Sequence, residues 1–282
     1  MSGTALYDAI GPRGHRRILL GSVLGGLLIA AIVAVVLLRL ANNGQLEAER
    51  WEVLTNEAVQ RRLFVDGLVA TLKAAGVAIL LSLVVGALLA IGRISRYAWF
   101  RGLVAAWVEF FRGLPLLLMI FFLFLGGPQL GVDIPVFWAL VLGLTLYNSA
   151  VIAEIFRAGI LSLPKGQTEA AYAVGLRRVQ TLRIVLLPQA IRLMLPALVS
   201  QVVTLLKDTA LGFVIGYPEL LRTGREVIEF VGGPYSLPIY VEMAVIYIVV
   251  NATLSWFARW LDRRTARRYG KTVEMSVADE AA

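Results

Sequence analysis

The chain has 282 residues, of which 59% are hydrophobic and 16% are charged, and its mean hydropathy is +0.77. A soluble globular domain carries roughly 25% charged residues, so this composition excludes an ordinary soluble domain and predicts an all-α, polytopic membrane protein. The net charge of +8 would suit a nucleic-acid partner, but the basic residues gather between and after apolar segments, as in membrane proteins, which argues against nucleic acid.

The first apolar segment, residues 18–40, is long enough to span a bilayer. Its apolar core exceeds the roughly 7–15 residues of a signal-peptide core, and no A-x-A site follows, so we expect an uncleaved first span. Residues 41–66 mix both charge signs with apolar positions such as Trp51 and Leu63, and are predicted to lie outside, at the membrane interface. The second span is predicted over residues 67–91.

Four further spans are separated by short polar or basic segments. The third covers residues 103–125 and contains the pattern Gly113-x-Pro115, which predicts a helix break near the inner surface. The last three are predicted over residues 136–160, from Gln189 onward and over residues 236–256. Six transmembrane helices are therefore expected.

The distribution of Lys and Arg predicts the orientation of these spans. Most of the 27 basic residues fall in segments that an alternating arrangement places on one side of the membrane. The positive-inside rule puts both termini and the loop of residues 161–188 in the cytoplasm. Residues 126–135 and an amphipathic segment at residues 218–235 are then outside.

The residues offer little for enzymatic chemistry. There is no cysteine, and the single histidine, His15, lies in the basic N-terminal segment, so we expect neither a metal site nor a Ser/His/Asp triad. Gly270-Lys271-Thr272 resembles the end of a phosphate-binding loop, but Thr265 stands where that loop needs glycine. The chain is not expected to be an enzyme, to hydrolyse ATP or to bind a cofactor.

Polar residues inside spans are the candidates for function, because burying them in lipid is costly unless they face a cavity or a partner. Lys207, Asp208 and Thr209 interrupt the fifth span. One interpretation is a self-neutralising pair at the outer interface. The other is a broken helix whose charges, hydroxyl and free backbone groups line a substrate path.

Three more polar residues are candidates for the path, and two of them allow a second interpretation. Asn148 and Glu154 lie in the fourth span, where Glu154 either lines the path or pairs with Arg157 three residues later. Arg112 precedes the predicted break in the third span and either lines the path or binds lipid phosphate.

The cytoplasmic loop contains the sequence EAAYAVGLRRVQTLRIVLLP over residues 169–188. Gly175 can adopt the left-handed conformation that ends a helix, and Pro188 suits the first turn of the next, so we expect two short helices bent at Gly175. The spacing resembles the EAA loop of the membrane subunits of ATP-binding-cassette (ABC) importers. The positions that carry this resemblance are Glu169, Ala170, Ala171, Gly175, Val185, Leu187 and Pro188. The alternative, an arbitrary loop rich in Arg and Ala, does not explain why Glu, Gly and Pro all fall in register.

The resemblance implies how this loop would act. In that family it forms the cytoplasmic coupling helices, which dock into a groove on a separate ATPase subunit. Ala170 and Ala171 would allow close approach, and Glu169 would pair with a basic residue of the partner.

Further segments resemble the polar amino-acid branch of these permeases, the histidine, glutamate, glutamine and arginine group. They are FRGLPLL at 111–117, AEIFRAGI at 153–160, GQTEAA at 166–171 and LKDTAL at 206–211. In that group serine usually follows Lys-Asp-Thr, whereas this chain has Ala210 at that position. The likeness covers about residues 67–260 and implies the five-helix type I importer core, flanked by an N-terminal segment, 1–66, and a basic cytoplasmic tail, 261–282. The additional first span is similar to glutamate-permease members.

A permease of this kind implies several partners. They are ABC ATPase subunits that bind ATP and Mg, a second identical or homologous permease, an extracytoplasmic amino-acid-binding protein, a polar amino-acid substrate and a prokaryotic plasma membrane. Glutamate is the expected substrate, with glutamine, arginine, histidine or another polar amino acid as alternatives. A non-transporting scaffold that recruits an ATPase is a rival function, and a secondary transporter is disfavoured by the loop at residues 169–188.

Overall fold

The computed structural model describes the backbone of residues 11–280 and the side chains of residues 11, 14–257, 259 and 260. The expected basic tail at 261–282 and the first ten residues lie outside the described side chains. Within the described backbone the fold is all-α, as predicted, with thirteen α-helices. These are α1 (Pro12–Asn42), α2 (Ala48–Trp51), α3 (Glu57–Arg61), α4 (Val69–Arg93), α5 (Ala98–Gly113), α6 (Leu116–Phe121), α7 (Gly127–Gln129), α8 (Val136–Leu161), α9 (Lys165–Ala173), α10 (Arg178–Gln180), α11 (Leu187–Asp208), α12 (Leu220–Val231) and α13 (Ser236–Glu280).

Tighter or wider helical turns join several of these helices. Three π-helical segments connect α3 to α4, α6 to α7 and α10 to α11, and 3-10 segments follow α2, α11 and α12. The π-helical segments are Arg62–Leu68, Phe122–Gly126 and Thr181–Leu186, and the 3-10 segments are Glu52–Thr55, Thr209–Ile215 and Gly233–Tyr235. Helices α3 and α4, and likewise α10 and α11, therefore form continuous rods.

Five helical segments of the described residues are long and apolar enough to cross a membrane, and a sixth is obtained if one bent pair counts as a span. The five are Gly14–Asn42, Glu57–Arg93, Val136–Leu161, Arg178–Ile215 and Gly233–Phe257. This agrees with the six predicted spans. The most apolar part of the first span, in α1, has none of its residues buried against the rest of the described structure.

The third span differs from its prediction in shape. The break at Gly113-x-Pro115 is confirmed, because α5 and the segment Leu116–Gln129 meet at 99°. The break follows sixteen residues of helix, however, and does not lie at the entry of the span. Pro115 has no backbone N–H, so it cannot donate the hydrogen bond that would continue α5. Its ring also favours an extended conformation at the residue before it, Leu114, and α6 begins just after Pro115. The predicted boundaries, 103–125, therefore enclose two helices with different directions.

The central core is the contact between α4 and α8. Small residues recur every fourth position on the buried face of α4, namely Ala74, Ala78, Ser82, Gly86 and Ala90. This spacing forms one stripe that lets another helix approach closely. A Cβ atom on Gly86 would lie 2.7 Å from Ile152 Cγ2 of α8, so the two helices touch at the backbone.

A second core lies at the N-terminal end of α4. The end of the segment at residues 41–66 belongs to this core, because Val59 and Leu63 pack with α12 and α13. The Gln60 side chain donates to Glu242 Oε1 of α13 over 2.6 Å. Residues on both sides of position 66, the expected boundary of the N-terminal segment, thus share this core.

Candidate functional site

The segment at residues 169–188 has the predicted bend. Gly175 has φ of 82°, and α9 ends two residues before it, at Ala173. The Leu176 amide donates to the Ala171 carbonyl over 3.1 Å, and the Gly175 amide donates to the Tyr172 carbonyl over 2.9 Å. These two bonds form a Schellman motif, which requires a left-handed residue at the position of Gly175. A new helical rod then begins at Arg178 and continues to Ile215. The second helix is therefore not a separate short one, as predicted, because it is continuous with the fifth span, and Pro188 lies within the rod just after its π-helical segment.

Fewer residues of this segment are accessible to a partner than the sequence pattern indicates. Glu169, Ala170 and Gly175 are exposed, whereas Ala171 is only 4% exposed and packs into the chain itself. Val185 and Leu187 are half-buried and Pro188 is exposed. A partner can therefore touch Glu169 and Ala170, while Ala171 is committed to the interior.

Gln189, at the start of α11, contacts α9. The Gln189 side chain donates to the Gln167 side chain over 3.2 Å and to the Val185 carbonyl over 2.9 Å. One residue of the long α11 rod thus touches both arms of the bend.

A cavity of about 540 Å³ lies where the break between α5 and α6 faces α8 and α11. Its size falls in the range of small-molecule sites, roughly 300–1,000 Å³. Its lining residues are Arg112, Gly113, Leu114, Pro115, Leu116, Tyr147, Val151, Gln201, Thr204, Asp208 and Leu211. The broken helix and the polar interruption of the fifth span, which the sequence treats separately, thus meet in one cavity.

The cavity contains one residue of each charge. Among the described residues neither Arg112 nor Asp208 forms a salt bridge. Beside them, Gln201 donates to Asn148 Oδ1 over 2.6 Å, and Asn148 in turn donates to the Leu144 carbonyl over 2.8 Å. Asn148 is fully buried, so this pair fixes the orientation of Gln201 at the cavity wall.

Four of the predicted path residues are not in the lining, namely Lys207, Thr209, Asn148 and Glu154. Lys207 is exposed, and no salt bridge between Lys207 and Asp208 occurs among the described residues. Thr209 is fully buried and donates its hydroxyl to the Leu206 carbonyl over 2.6 Å, at the start of the 3-10 segment.

Glu154 lies in an ion-pair cluster instead of the cavity. Its two oxygens accept from Arg93 over 2.8 Å and from Arg157 over 2.9 Å. The i,i+3 pair that the sequence offered as an alternative is therefore present, and Arg93 of α4 joins it.

Sequence reasoning did not identify Tyr147, Gln201 or Thr204. Gln201, Thr204 and Asp208 are spaced i, i+3 and i+7, so they share one face of a helix. That polar stripe in an otherwise apolar span is a signal that the sequence contains.

Glu219, also not identified, is a fully buried carboxylate between the fifth and sixth spans. It caps α12 by accepting from the Leu221 and Arg222 amides, each over 2.8 Å, and from the Tyr247 hydroxyl over 2.9 Å. Burial raises the pKa of Glu219, and these three donors offset part of the rise. The carboxylate therefore holds α12 against α13.

Comparison with known proteins defines the class of this fold and site. Residues 82–267 match the family described as binding-protein-dependent transport system inner membrane component, and the chain belongs to that family. The glutamate transport system permease protein GluD of Corynebacterium glutamicum is 42% identical over 246 residues, which cover 86% of this chain and 89% of the relative. The probable glutamine ABC transporter permease protein GlnP of Bacillus subtilis is 40% identical, over 71% of this chain and 92% of the relative.

A solved structure agrees with this assignment. The crystal structure of an amino acid ABC transporter with histidines superposes with a TM-score of 0.67 at 34% identity, over 72% of this chain and 94% of that chain. The protein is therefore a permease subunit of an amino-acid ABC importer. The resemblance found in the sequence is confirmed at this level.

Proposed function

We propose that this permease carries a polar amino acid, glutamate above all, through the cavity between Arg112 and Asp208. The observation that carries the proposal is a cavity of about 540 Å³ lined by Arg112 and Asp208, neither of which forms a salt bridge among the described residues. Every amino acid brings a carboxylate and an ammonium group, and charge-assisted hydrogen bonds to these groups are the strong ones. Arg112 receives the carboxylate and Asp208 the ammonium.

The choice of glutamate rests on a different observation from the choice of an amino acid. Arg112 and Asp208 address groups that all amino acids share, whereas the relative with 42% identity is named as a glutamate permease. Glutamine is the next candidate, because a probable glutamine permease is 40% identical. Gln201, held by Asn148, supplies a neutral hydrogen-bonding group for the substrate side chain.

Energy for transport comes from partner subunits in this proposal. ABC ATPase subunits bind ATP and Mg and contact Glu169 and Ala170, a second permease completes the path, and an extracytoplasmic binding protein delivers the substrate. The segment at residues 169–188 and both termini face the cytoplasm of the prokaryotic cell. Closure of the ATPase pair moves α9, and the contacts of Gln189 pass this movement to α11 and hence to Asp208.

The function is tested by reconstituting the chain with its ATPase and binding protein in vesicles. Glutamate, glutamine, arginine and histidine are compared for stimulation of ATP hydrolysis and for uptake. The proposal predicts uptake that requires ATP, with glutamate giving the largest stimulation. Uptake of glutamine in preference to glutamate would contradict the substrate, and ATPase recruitment without any uptake would contradict transport and favour a scaffold.

A further inference from the structure

A second and larger cavity lies at the opposite end of α4 from α12. It has a volume of about 1,100 Å³ and is bounded by the turn between α4 and α5, the end of α8 and the segment from α9 to the start of α11. It is separate from the cavity of Arg112 and Asp208, since the two share no lining residue. We refer to it as the basic pocket.

Five arginines line the basic pocket, and its lining contains no Asp or Glu. They are Arg93, Arg96, Arg101, Arg157 and Arg178. Two of them, Arg93 and Arg157, share the carboxylate of Glu154. The positive charge of the other three is not balanced by a carboxylate among the described residues.

Among the described residues, the other three arginines hydrogen-bond only to neutral groups. Arg101 donates to the Ser95 carbonyl over 3.0 Å, and Arg178 donates to the Ile94 carbonyl over 2.7 Å. Arg96 donates to the Tyr97 hydroxyl over 2.5 Å, and its guanidinium group lies 4.7 Å from the Tyr97 ring centroid. Each of these contacts uses part of a guanidinium group, which has five N–H donors, so donors remain for an anion.

A buried hydroxyl without a partner adds an independent observation. Thr181 lines the pocket, is only 1% exposed, and its Oγ1 has no hydrogen-bond partner among the described residues. A buried polar group left unpaired costs free energy, so a ligand that hydrogen-bonds to this hydroxyl would be favoured. Thr181 begins the π-helical segment that leads into α11.

Apolar side chains form much of the remaining wall of the pocket, which also includes Ser95, Thr168 and Tyr172. Several of these apolar side chains are also exposed on the surface of the helices. Ile91 is 59% exposed, Leu161 is 62% exposed and Phe100 is 38% exposed, and all three line the pocket. Trp99, beside Phe100, is 73% exposed. A ligand that fits this arrangement has an anionic group for the arginines and hydrocarbon for the apolar rim.

We propose that the basic pocket binds an anionic phospholipid, with its phosphate ester among Arg96, Arg101 and Arg178 and its acyl chains along Ile91 and Phe100. Basic pockets between helices at the cytoplasmic membrane surface suit such headgroups. A free phosphate would share the charge complementarity but would leave the apolar rim uncovered. Because Arg178 and Thr181 follow the bend at Gly175, the bound lipid braces the segment that faces the ATPase.

The test measures lipid binding directly and does not depend on transport. The full-length chain is purified in a neutral detergent, freed of lipid and titrated with palmitoyl-oleoyl phosphatidylglycerol, with the phosphatidylcholine of the same chains or with inorganic phosphate. Bound lipid is counted by mass spectrometry of the intact protein. We expect phosphatidylglycerol to bind at least about tenfold more tightly than phosphatidylcholine, and inorganic phosphate to displace it only weakly.

Two variants locate the site and a third serves as the control. Arg96→Gln with Arg101→Gln should weaken phosphatidylglycerol binding about thirtyfold, since each basic residue near an anionic lipid contributes about one kcal/mol. Thr181→Val should weaken it severalfold without lowering the melting temperature of the lipid-free chain, because the hydroxyl has no partner within it. Arg61→Gln with Arg62→Gln, the same charge change at exposed positions beside α12, should leave binding unchanged.

Three results would overturn the proposal. Equal binding of the two lipids would show that no anionic headgroup is recognised. Displacement by inorganic phosphate at concentrations similar to those of the lipid would make this a free-anion site. Unchanged lipid binding by Arg96→Gln with Arg101→Gln, together with weaker co-purification of the ATPase, would make the arginines a protein contact.

Discussion

Glu219 is a buried carboxylate that no basic side chain of the described residues pairs with, and its stability contribution depends on pH. Burial raises the folded-state pKa above the ordinary value of 4.5. When the folded-state pKa exceeds the unfolded one, protonation favours the folded state. The stabilisation from Glu219 is therefore complete below pH 4.5 and is lost as the pH rises through the folded-state pKa.

We predict that Glu219→Gln removes this pH dependence. The melting temperature of the natural chain in detergent should fall relative to that of Glu219→Gln as the pH rises above 4.5, measured by thermal unfolding across a pH series. Glu229→Gln is the matched control, because Glu229 lies on the same helix but is exposed and paired with Arg225. Parallel pH profiles for the natural chain and Glu219→Gln would contradict the assignment.

Gly175 illustrates a backbone requirement at a single residue. With φ of 82° the position suits glycine, and a side chain there should cost about 1–2 kcal/mol. Gly175→Ala should weaken co-purification of the ATPase while membrane insertion remains normal. Gly166→Ala, in α9 with open space around it, should instead stabilise that helix by about 0.5–1 kcal/mol. Equal effects of the two substitutions would argue against the bend.

Asp208 and its neighbour Lys207 allow a comparison between a side chain that lines the cavity and one that does not. Asp208 lines the cavity, whereas Lys207 is exposed and outside the lining. Asp208→Asn removes a charged hydrogen-bonding group, a change of about 1.5–3 kcal/mol, so ATP-driven uptake into vesicles should fall at least about tenfold. Lys207→Gln should change uptake less than about twofold. The reverse ranking of these variants would remove Asp208 from the path.

The sequence predicted six path residues, and the structure brings two of them, Arg112 and Asp208, into one cavity. Asn148 lies behind the cavity wall, where it holds Gln201. Glu154 is also a polar residue inside a span, but it lies about one helical turn beyond the cavity. There it pairs with Arg93, which is distant in sequence. Periodicity along one helix cannot reveal a partner on another helix.

At the scale of elements, the stripe of small residues on α4 determines how closely α8 can approach. A Cβ atom at Gly86 would lie 2.7 Å from Ile152 Cγ2 and 3.0 Å from the Ser149 carbonyl oxygen. Gly86→Val should therefore destabilise the fold by about 1–3 kcal/mol, as overpacking does. Gly76→Val, on the same helix with nothing within 4 Å, is the control.

The readout for this pair is the melting temperature and the yield of monodisperse protein in detergent. Gly86→Val should lower both, and Gly76→Val should leave both near those of the natural chain. Equal stability of the two variants would contradict the close packing of α4 and α8.

The elements themselves were largely predictable, but their directions were not. Segment length and hydropathy are local properties, so the six spans and the break at Pro115 followed from the sequence. The 99° angle after Gly113 and the packing of Leu63 against α12 depend on tertiary contacts. The small-residue stripe on α4 was visible in the sequence as a four-residue period, although only the structure identifies its partner helix.

At the scale of the whole molecule, the proposed orientation can be tested in this cysteine-free chain. Single substitutions Lys165→Cys and Gln129→Cys place a thiol at the start of α9 and at the end of α7. A membrane-impermeant maleimide added outside intact cells should label Gln129→Cys and leave Lys165→Cys unlabelled. The opposite labelling would invert the topology and place α9 away from any cytoplasmic ATPase.

The central claim is that substrate passes through the cavity of Arg112 and Asp208, and protection of a single cysteine tests it most directly. Thr204→Cys introduces a thiol in the cavity lining, and Lys207→Cys introduces one on the same helix outside it. In the reconstituted importer, glutamate should slow modification of Thr204→Cys by a small thiol reagent several-fold and leave Lys207→Cys unaffected. Modification of Thr204→Cys at the same rate with and without substrate, in vesicles that still take up glutamate, would contradict the claim.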